Sequence, residues 1–435
     1  MSRGLILTVG DSPEPLEFSL RHTKPVYVCF LCTAQSRSHL DRIVAAGGLT
    51  PSRFQVFEVT DKPSEAAILA HQVAEAHRWL QGRGLQADEI AVDATGGRKW
   101  MSSAATLMAG ALGLPMAYVE AKYREGRPDP ATMQVISLAN VLSETGIVEA
   151  GRAVSLFNVG EFSAAAAVFT EMQQRVSEAD LRELAGILAD LSILLEKWDR
   201  FLHLREPLAE QLAAVRLRLA RNRYMAGAAQ PIVERLTRLE MAALAISRGV
   251  GPIILVDLLE NAQRCRRRAR YDDATARAYR ALEATAQWIL RQKYGVETGA
   301  FAGTSAKLKS ATLGAVQGFN GGTLPEKIAL SEAWWVIALE GNPVAVQIGA
   351  ENEKTGRWEL SKKLRGCLES RNESILAHGF KAVGEKAAAD LLDEVERVVC
   401  LALGEDKYGM FREQVTFPIL PGLAGGDSRE AGGKG

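Results

Sequence analysis

The sequence predicts an α/β domain at the N-terminus followed by a long all-α region. Over about the first 140 residues, short apolar runs alternate with helical patterns, and this rhythm is typical of a parallel, doubly wound sheet. From about Leu142 onward the strand pattern fades, and amphipathic segments rich in Ala, Leu, Glu and Arg replace it. The length of 435 residues exceeds a single average domain, which favours two or three domains.

Strands and helices alternate along the α/β domain in a regular order. Its strands tend to end in small or polar residues, for example Gly10, Asp11 and Ser12, and ligands of such sheets bind at the carboxyl ends of the strands. The predicted strands are 5–9, 25–31, 54–59, 90–93, 116–119 and 135–138, with helices at 64–85 and 99–112.

The all-α region divides at a loose boundary near Gly249, Val250 and Gly251, where Pro252 also interrupts the helical pattern. Amphipathic helical segments are predicted at 150–176, 178–198, 207–225 and 257–270. The predicted organisation is an α/β domain at 1–141, a helical connector at 142–250, a helical domain at 251–420 and, because of its many glycines, a disordered tail at 421–435.

The charges balance, with 52 Lys and Arg against 52 Asp and Glu, so any binding of nucleic acid must be local. The basic cluster 264–270 either holds RNA backbone or forms a solvated helix face among acidic neighbours, and the second interpretation is favoured. The scattered cysteines favour reduced core thiols. The sequence shows no signal-like segment and no long unbroken apolar stretch, which predicts a cytoplasmic protein without a membrane segment.

A glycine-rich motif, Asp93-Ala94-Thr95-Gly96-Gly97-Arg98-Lys99, leaves a predicted strand and opens a predicted helix. Two glycines let backbone amides approach a ligand, the helix start adds partial positive charge, and Arg98 and Lys99 add full charges. The motif therefore predicts an anion site, most simply for phosphate. Its spacing is not that of a Walker A loop, which disfavours nucleoside triphosphate hydrolysis. The alternative is that the two glycines only make a tight turn.

A second motif, from Arg371 and Asn372 to His378, carries the residue types that RNA cleavage needs. On a continuous helix, the seven-residue offset from Arg371 to His378 would place both side chains within about 20° of one face and roughly 10 Å apart. A partner helix would have to close that gap. If Gly379 ended the helix, His378 would lie in its last turn, where the helix dipole favours the protonated form and an acid role.

Cleavage of RNA without a metal ion needs the 2′-OH deprotonated, the developing charge on the phosphorus stabilised and the leaving 5′-oxygen protonated. His378, with an ordinary pKa of about 6.5, can act as acid or base, Arg371 can donate to phosphate oxygens, and Asn372 can orient either group. The alternative is that Arg371 and His378 are polar residues on a solvated helix face. The other histidines have no acidic or Cys partners at ligand spacing, so no metal site is predicted.

Together the two motifs resemble those of CRISPR-associated ribonucleases that join a CARF domain to a HEPN domain. Asp-x-Thr-Gly-Gly-x-Lys after a strand looks like the ligand motif of CARF domains, the cyclic-oligoadenylate sensors of type III systems, and Arg371-Asn372 followed by His378-Gly379 fits the HEPN motif. The resemblance implies a Rossmann-like CARF domain, a helical connector and a HEPN domain. It implies a ligand site formed by Gly10, Asp11, Ser12, Thr33, Ser36, Asp93, Thr95, Gly96, Gly97, Arg98 and Lys99, and catalysis by Arg371, Asn372 and His378.

The function implied is a metal-independent endoribonuclease that cuts single-stranded RNA in antiviral defence and needs no cofactor. Cyclic tetra-adenylate or hexa-adenylate would be its allosteric activator. We expect a homodimer, because twofold symmetry brings one patch against its own copy and suits a symmetric ring. Two alternatives stay open: a non-catalytic cyclic-nucleotide sensor, and an enzyme whose N-terminal domain degrades the cyclic oligoadenylate.

Overall fold

A computed structural model describes residues 3–125, 127–225, 227–248, 251–374, 376 and 379–422 of the chain. The chain divides into two compact units, the first formed by Met1–Glu149 with Gln174–Arg182 and the second by Ala150–Gln173 with Glu183–Gly435. The helices of the predicted connector are shared between these units, so a separate connector stays a prediction. Most of the predicted disordered tail, 423–435, lies outside the described residues.

The first unit contains a six-stranded sheet flanked by helices. Its strands are β1 Gly4–Val9, β2 Tyr27–Cys32, β3 Phe54–Glu58, β4 Ile90–Asp93, β5 Met116–Glu120 and β8 Gln134–Leu138, with the two-residue strands β6 Tyr123–Arg124 and β7 Arg127–Pro128 forming a separate ladder. Its helices are α1 Glu14–Thr23, α2 Leu40–Ala46, α3 Ala66–Gln81, α4 Lys99–Leu112 and α5 Val141–Thr145.

The strand order is β3-β2-β1-β4-β5-β8, and the sheet is mixed. The first five strands are parallel, as predicted, but β8 runs antiparallel to β5, so the prediction of a wholly parallel sheet is wrong at this edge. The reason is the connection from β5 to β8, which contains the β6–β7 ladder and no crossover helix. A parallel return needs a longer crossover, usually through a helix.

Side chains of the sheet pack against helices on both faces, which explains the nearly continuous apolar character of its strands. In β1, Ile6 packs in a core with residues of α3 and α4, whereas its neighbours Leu5 and Leu7 pack in a second core with residues of α1 and α2. Successive side chains of a strand point to opposite faces. The doubly wound architecture predicted from the sequence is confirmed.

The second unit is mostly helical. Along the rest of the chain the helices are α6 Ile147–Asn158, α7 Phe162–Arg175, α8 Ala179–Asp199, α9 Leu208–Arg221, α10 Ala229–Ser247, α11 Ile253–Arg267, α12 Tyr271–Ile289, α13 Phe301–Thr304, α14 Ser310–Phe319, α15 Leu330–Leu339, α16 Pro343–Ile348, α17 Lys362–Asn372, α18 Glu385–Leu403 and α19 Glu405–Val415. An antiparallel hairpin of β9 Gly349–Asn352 and β10 Arg357–Leu360, which the sequence interpretation did not include, interrupts this series. Helices α11, α12 and α18 pack together, and α17 packs on α12 and α18.

Three arginines of the basic cluster 264–270 form ion pairs with acidic side chains. Asp199 accepts hydrogen bonds from Arg264 at 2.7 Å and from Arg268 at 2.5 Å, and all three side chains are buried. Arg270 pairs with Asp273 at the start of α12. The interpretation favoured from the sequence, acidic neighbours rather than RNA, fits these contacts, although Arg264 and Arg268 lie in the core and not on a solvated face.

No helix among the described residues is both long enough and apolar enough to cross a membrane.

Candidate functional site

Three loops meet at the carboxyl ends of adjacent parallel strands in the first unit. Since β2, β1 and β4 are neighbours in the sheet, the residues that follow them lie at one edge. The backbone at Gly10 is so close to the loop after β4 that a Cβ on Gly10 would lie 2.5 Å from the backbone N of Gly97. Gly97 itself has φ of +85°, a left-handed conformation that favours glycine. The sequence prediction that these loops converge is supported by this contact.

Gly96 approaches the chain of β1 even more closely. A Cβ at Gly96 would lie 2.3 Å from the backbone O of Thr8, so only glycine fits there without a shift of backbone. Its own carbonyl accepts hydrogen bonds from the hydroxyls of Thr8 at 2.5 Å and Ser102 at 3.0 Å. The loop after β4 is thus held on both sides before α4 begins.

Asp93 lies beneath this loop and is fully buried. One carboxylate oxygen accepts hydrogen bonds from the backbone N and the hydroxyl of Thr95 at 2.9 and 2.5 Å, and the other accepts from the Ser19 hydroxyl at 2.5 Å. Burial raises the pKa of Asp93, and the hydrogen bonds from Ser19 and Thr95 offset part of that rise. Thr95 also accepts from the backbone N of Val119 at 2.7 Å. Asp93 and Thr95 therefore shape the loop from below.

The turn after β2 is closed on itself. Thr33 and Ser36 are buried, and the backbone N of Thr33 donates to the Ser36 hydroxyl at 3.0 Å. The side chain of Arg98 joins this turn to the loop after β4, because its guanidinium donates to Gln35 Oε1 at 3.2 Å. Thr33 and Ser36 therefore stabilise the turn from its interior, and their side chains are not part of its exposed surface.

The exposed residues of the predicted ligand site are Asp11, Ser12, Arg98 and Lys99. Lys99 opens α4, and among the described residues its ammonium group has no acidic or hydrogen-bonding partner. An unpaired ammonium beside the N-terminus of a 14-residue helix provides an electrostatic site for an anion.

The second motif does not lie on one helix. Helix α17 ends at Asn372, Glu373 is in a turn, and Ser374 pairs with Lys381 in an isolated bridge. The prediction of one continuous helix from Arg371 to His378 is therefore wrong, and the predicted spacing to His378 falls outside the described residues. The physical reason is that the backbone after Asn372 hydrogen-bonds to Gly379 and Lys381, contacts that local periodicity does not encode.

Gly379 packs closely against Glu373, the residue that follows α17. The backbone N of Gly379 donates to the carbonyl of Ser374 at 3.1 Å, and Lys381 N donates to the carbonyl of Glu373 at 3.1 Å. A Cβ at Gly379 would lie 1.9 Å from the carbonyl oxygen of Glu373, so the position requires glycine. His378, predicted as the catalytic acid or base, lies outside the described residues.

Arg371 is held in place by an aromatic ring. Its guanidinium carbon lies 4.1 Å from the centroid of the Tyr279 ring on α12, and its Nη1 donates to Oδ1 of the neighbouring Asn372 at 3.2 Å. Its Nε is buried and has no partner in the described part of the chain. The side chain is thus fixed by Tyr279 and Asn372, while Nη2 makes no hydrogen bond to the described residues, and a free Nη2 suits recognition of a phosphate oxygen.

Sequence reasoning missed Tyr279 and the β9–β10 hairpin that flanks α17. The hairpin does have a signal, because Asn352 and Gly356 bracket a short turn and Gly356 has φ of +63°. No local pattern identifies Tyr279, since its role arises from the packing of α12 on α17.

Of the other histidines, His203 lies in the core of the second unit. His203 is 2% exposed, and its ring stacks on Trp198 with centroids 4.4 Å apart, which is a structural position. Within the described ranges, no cluster of three or more His, Cys, Asp or Glu side chains has a geometry that could hold a metal ion.

Comparisons with known proteins agree with the resemblance drawn from the two motifs. Residues 246–401 match the family model for the Csm6 HEPN domain. Among solved structures, "Enterococcus italicus Csm6 bound to cyclic hexa-2'-fluoro-hexa-dAMP" superposes with a TM-score of 0.53 at 11% identity, covering 95% of this chain and 98% of that chain. The resemblance to the CARF–HEPN family is confirmed, and the chain has the Csm6 fold.

A structure of Can2 from Sulfobacillus thermosulfidooxidans, in complex with cyclic tetra-adenylate, overlaps only in part. Its TM-score is 0.23 at 13% identity, with 46% of this chain and 68% of that chain covered, so it supports no further argument. A search of curated protein sequences gave no match.

Proposed function

We propose that this chain, with its Csm6 fold and HEPN region, is an endoribonuclease of type III CRISPR defence that cyclic oligoadenylate activates and that cuts single-stranded RNA without a metal ion. The observation that carries the proposal is Arg371, which lies inside the matched HEPN region, rests on Tyr279 and, among the described residues, has no hydrogen-bond partner at Nη2. This is a fixed guanidinium with donor capacity left for a phosphate.

In the proposed reaction, the ribose 2′-oxygen attacks phosphorus and the bond from phosphorus to the 5′-oxygen breaks. One group accepts the 2′-OH proton and another protonates the leaving oxygen, which leaves a 2′,3′-cyclic phosphate and a 5′-OH. Arg371 stabilises the charge that develops on the phosphate oxygens, and Asn372 orients Arg371 through their hydrogen bond. His378 supplies proton transfer as acid or base, and the helix-dipole argument for an acid role no longer applies, because α17 ends at Asn372.

The proposed ligand site is the edge of the first unit where Gly10, Gly96 and Gly97 approach each other. The backbone at these glycines, the start of α4 and the exposed side chains of Arg98 and Lys99 suit the phosphates of a cyclic oligoadenylate. Cyclic tetra-adenylate and hexa-adenylate both remain candidates. The Csm6 of similar fold was solved with a fluorinated cyclic hexa-adenylate analogue, which makes the hexa-adenylate the first ligand to test.

We also propose that the enzyme acts as a homodimer. The predicted helical spacing gives this state no support, since α17 ends at Asn372. The support that remains is the symmetry of a cyclic ligand, which suits two copies of the Gly96–Gly97 loop around a twofold axis. Light scattering of the purified protein with and without ligand tests the state directly.

The central experiment measures cleavage of a fluorescent single-stranded RNA in EDTA, with no ligand, cyclic tetra-adenylate or cyclic hexa-adenylate. Wild type is compared with Arg371→Ala and His378→Ala, and His71→Ala serves as a control because His71 is an exposed residue of α3, outside the HEPN region. The expected result is ligand-dependent cleavage by wild type and His71→Ala only, with products that end in a cyclic phosphate.

Two other outcomes would replace the proposal. Tight ligand binding without RNA cleavage under any condition indicates a non-catalytic sensor. Consumption of the cyclic ligand, followed by chromatography, without RNA cleavage indicates that the N-terminal domain is itself the enzyme.

A further inference from the structure

A cavity of about 450 Å³ lies beside the candidate catalytic residues in the second unit. Asn372 and Glu369 line it from α17, Tyr279 from α12, Ser331 from α15, and Trp358 from β10. Tyr279 and Asn372 are also the two residues that contact the Arg371 guanidinium. A group bound in the cavity would therefore contact Tyr279 and Asn372, the same residues that hold Arg371 for a bound phosphate.

The cavity has the size and the aromatic lining that suit a nucleobase. Small-molecule sites commonly occupy about 300–1,000 Å³. Unstacked RNA bases bind by stacking on aromatic side chains and by hydrogen bonds to their edges. Tyr279 and Trp358 supply the rings. The Trp358 indole packs directly on the backbone of Gly349, where a Cβ would lie 2.3 Å from the ring, and this contact holds the indole in place.

The two glutamates that line the cavity differ in whether their carboxylates are paired. Both carboxylate oxygens of Glu359 are occupied, one by Arg365 at 2.5 Å and the other by Asn352 at 3.0 Å. The carboxylate of Glu369, by contrast, has no partner among the described residues. On the donor side, the indole Nε1 of Trp358 is buried and unpaired in the same part of the chain.

We propose that this cavity binds the base of the nucleotide next to the scissile phosphate and that Glu369 makes it select guanine. The inference rests on the proposed ribonuclease function. Guanine presents two adjacent donors, N1–H and the exocyclic amino group, which match the two oxygens of a carboxylate. Uracil presents one N–H between two carbonyl oxygens, which a carboxylate repels. The preferred order is guanine, then the other amino bases, then uracil.

The test is the base composition at cleavage sites. A random pool of single-stranded RNA is cut by ligand-activated wild type, Glu369→Gln and Glu353→Gln, and the new 5′-OH ends are sequenced. Glu353 makes a matched control because it is an exposed glutamate in the turn of the same hairpin and does not line the cavity. We expect wild type and Glu353→Gln to enrich guanine at one fixed position, and Glu369→Gln to reduce the enrichment by about tenfold.

An independent measurement does not depend on any variant. GMP should inhibit wild-type cleavage at a lower concentration than UMP does. Equal inhibition by the two mononucleotides, or guanine enrichment that is absent or unchanged in Glu369→Gln, would overturn the base pocket while leaving the ribonuclease intact. Absence of any wild-type cleavage with either cyclic ligand is a different result, since it removes the proposed function itself.

Discussion

At the scale of single residues, the candidate active site depends on what supports Arg371. The ring of Tyr279 lies under the guanidinium at 4.1 Å, and Asn372 fixes one of its terminal nitrogens. A long, flexible arginine side chain loses conformational freedom when it binds phosphate. The contacts with Tyr279 and Asn372 already restrict the Arg371 side chain before the phosphate binds, so less freedom is lost on binding. Tyr279 acts on the phosphate through Arg371, and it also lines the cavity proposed to bind the base.

Tyr279→Ala should lower kcat/KM for the fluorescent RNA by roughly 2- to 30-fold, the range expected from loss of one cation–π contact. Tyr279→Phe should retain most activity, since it keeps the ring under the guanidinium. Initial rates over a series of RNA concentrations give the comparison. If the alanine variant is as active as wild type, the ring does not position Arg371.

Gly379→Ala should abolish most RNA cleavage by moving the loop that follows α17. The added Cβ would lie 1.9 Å from the Glu373 carbonyl, and a misplacement of about 1 Å near the chemistry costs on the order of 100-fold in rate. The control is Gly384→Ala, where a Cβ meets nothing within 4 Å. Rates and melting temperatures are measured together. Full activity in Gly379→Ala would contradict the tight approach of this loop to α17.

At the scale of elements, α17 carries Arg371 and Asn372 and is fixed at its beginning. The Ser361 side chain accepts a hydrogen bond from Leu364 N at 3.3 Å, which caps the helix, and Leu364 and Leu368 are buried. An ion pair also joins Lys363 to Glu394 of α18 at 2.6 Å. Burial raises the pKa of Glu394, but hydrogen bonds from Lys363 and Arg397 outweigh it and hold the pKa below its usual value.

The lowered pKa of Glu394 predicts a loss of stability in acid. A carboxyl group whose pKa is depressed in the folded state stabilises the protein above its unfolded pKa of about 4.3, and that contribution disappears as the pH falls through the folded pKa. Glu394→Gln lacks this contribution at any pH. The melting temperature of wild type should therefore exceed that of Glu394→Gln near pH 7, and the difference should shrink only as the pH is lowered below about 4.3. A difference that does not depend on pH would argue against an ionised Glu394 in the folded state.

At the scale of the whole molecule, the two candidate sites belong to different compact units. The anion site lies in the first unit and Arg371 in the second, so activation requires that the ligand bind one arrangement of the chain more tightly than another. The chain matches Csm6 over 95% of its length, which includes both units. Regulation and catalysis should then be separable by variants in each unit.

Lys99→Ala should shift activation without changing the chemistry. Losing one charged contact to a phosphate should raise the ligand concentration for half-maximal cleavage by about tenfold or more, while the rate at saturating ligand stays close to that of wild type. Lys122→Ala, which removes an exposed lysine from outside the motif, is the control. Titration of RNA cleavage with cyclic hexa-adenylate and tetra-adenylate gives both quantities. An unchanged midpoint would exclude Lys99 from the ligand site.

Several features of this protein follow from local patterns in the chain. The bounds of α4 agree with the predicted helix at 99–112, and β4 with the predicted strand at 90–93, because side-chain periodicity reports which face of an element is buried. The close approach of Gly96 and Gly97 to the neighbouring loop was also foreseeable from two glycines between a strand and a helix. Such signals extend over only a few residues.

Other features needed contacts between distant parts of the chain. The antiparallel direction of β8 depends on how the segment after β5 folds back, and the end of α17 depends on hydrogen bonds from Gly379 and Lys381. Local periodicity was sufficient to predict the fold class, whereas the ligand-binding and catalytic regions stay predictions from their motifs. The support of Arg371 by Tyr279, the buried position of Asp93 and the cavity beside Asn372 arise only when separate elements pack, because the free energy of those contacts belongs to pairs of residues far apart in sequence.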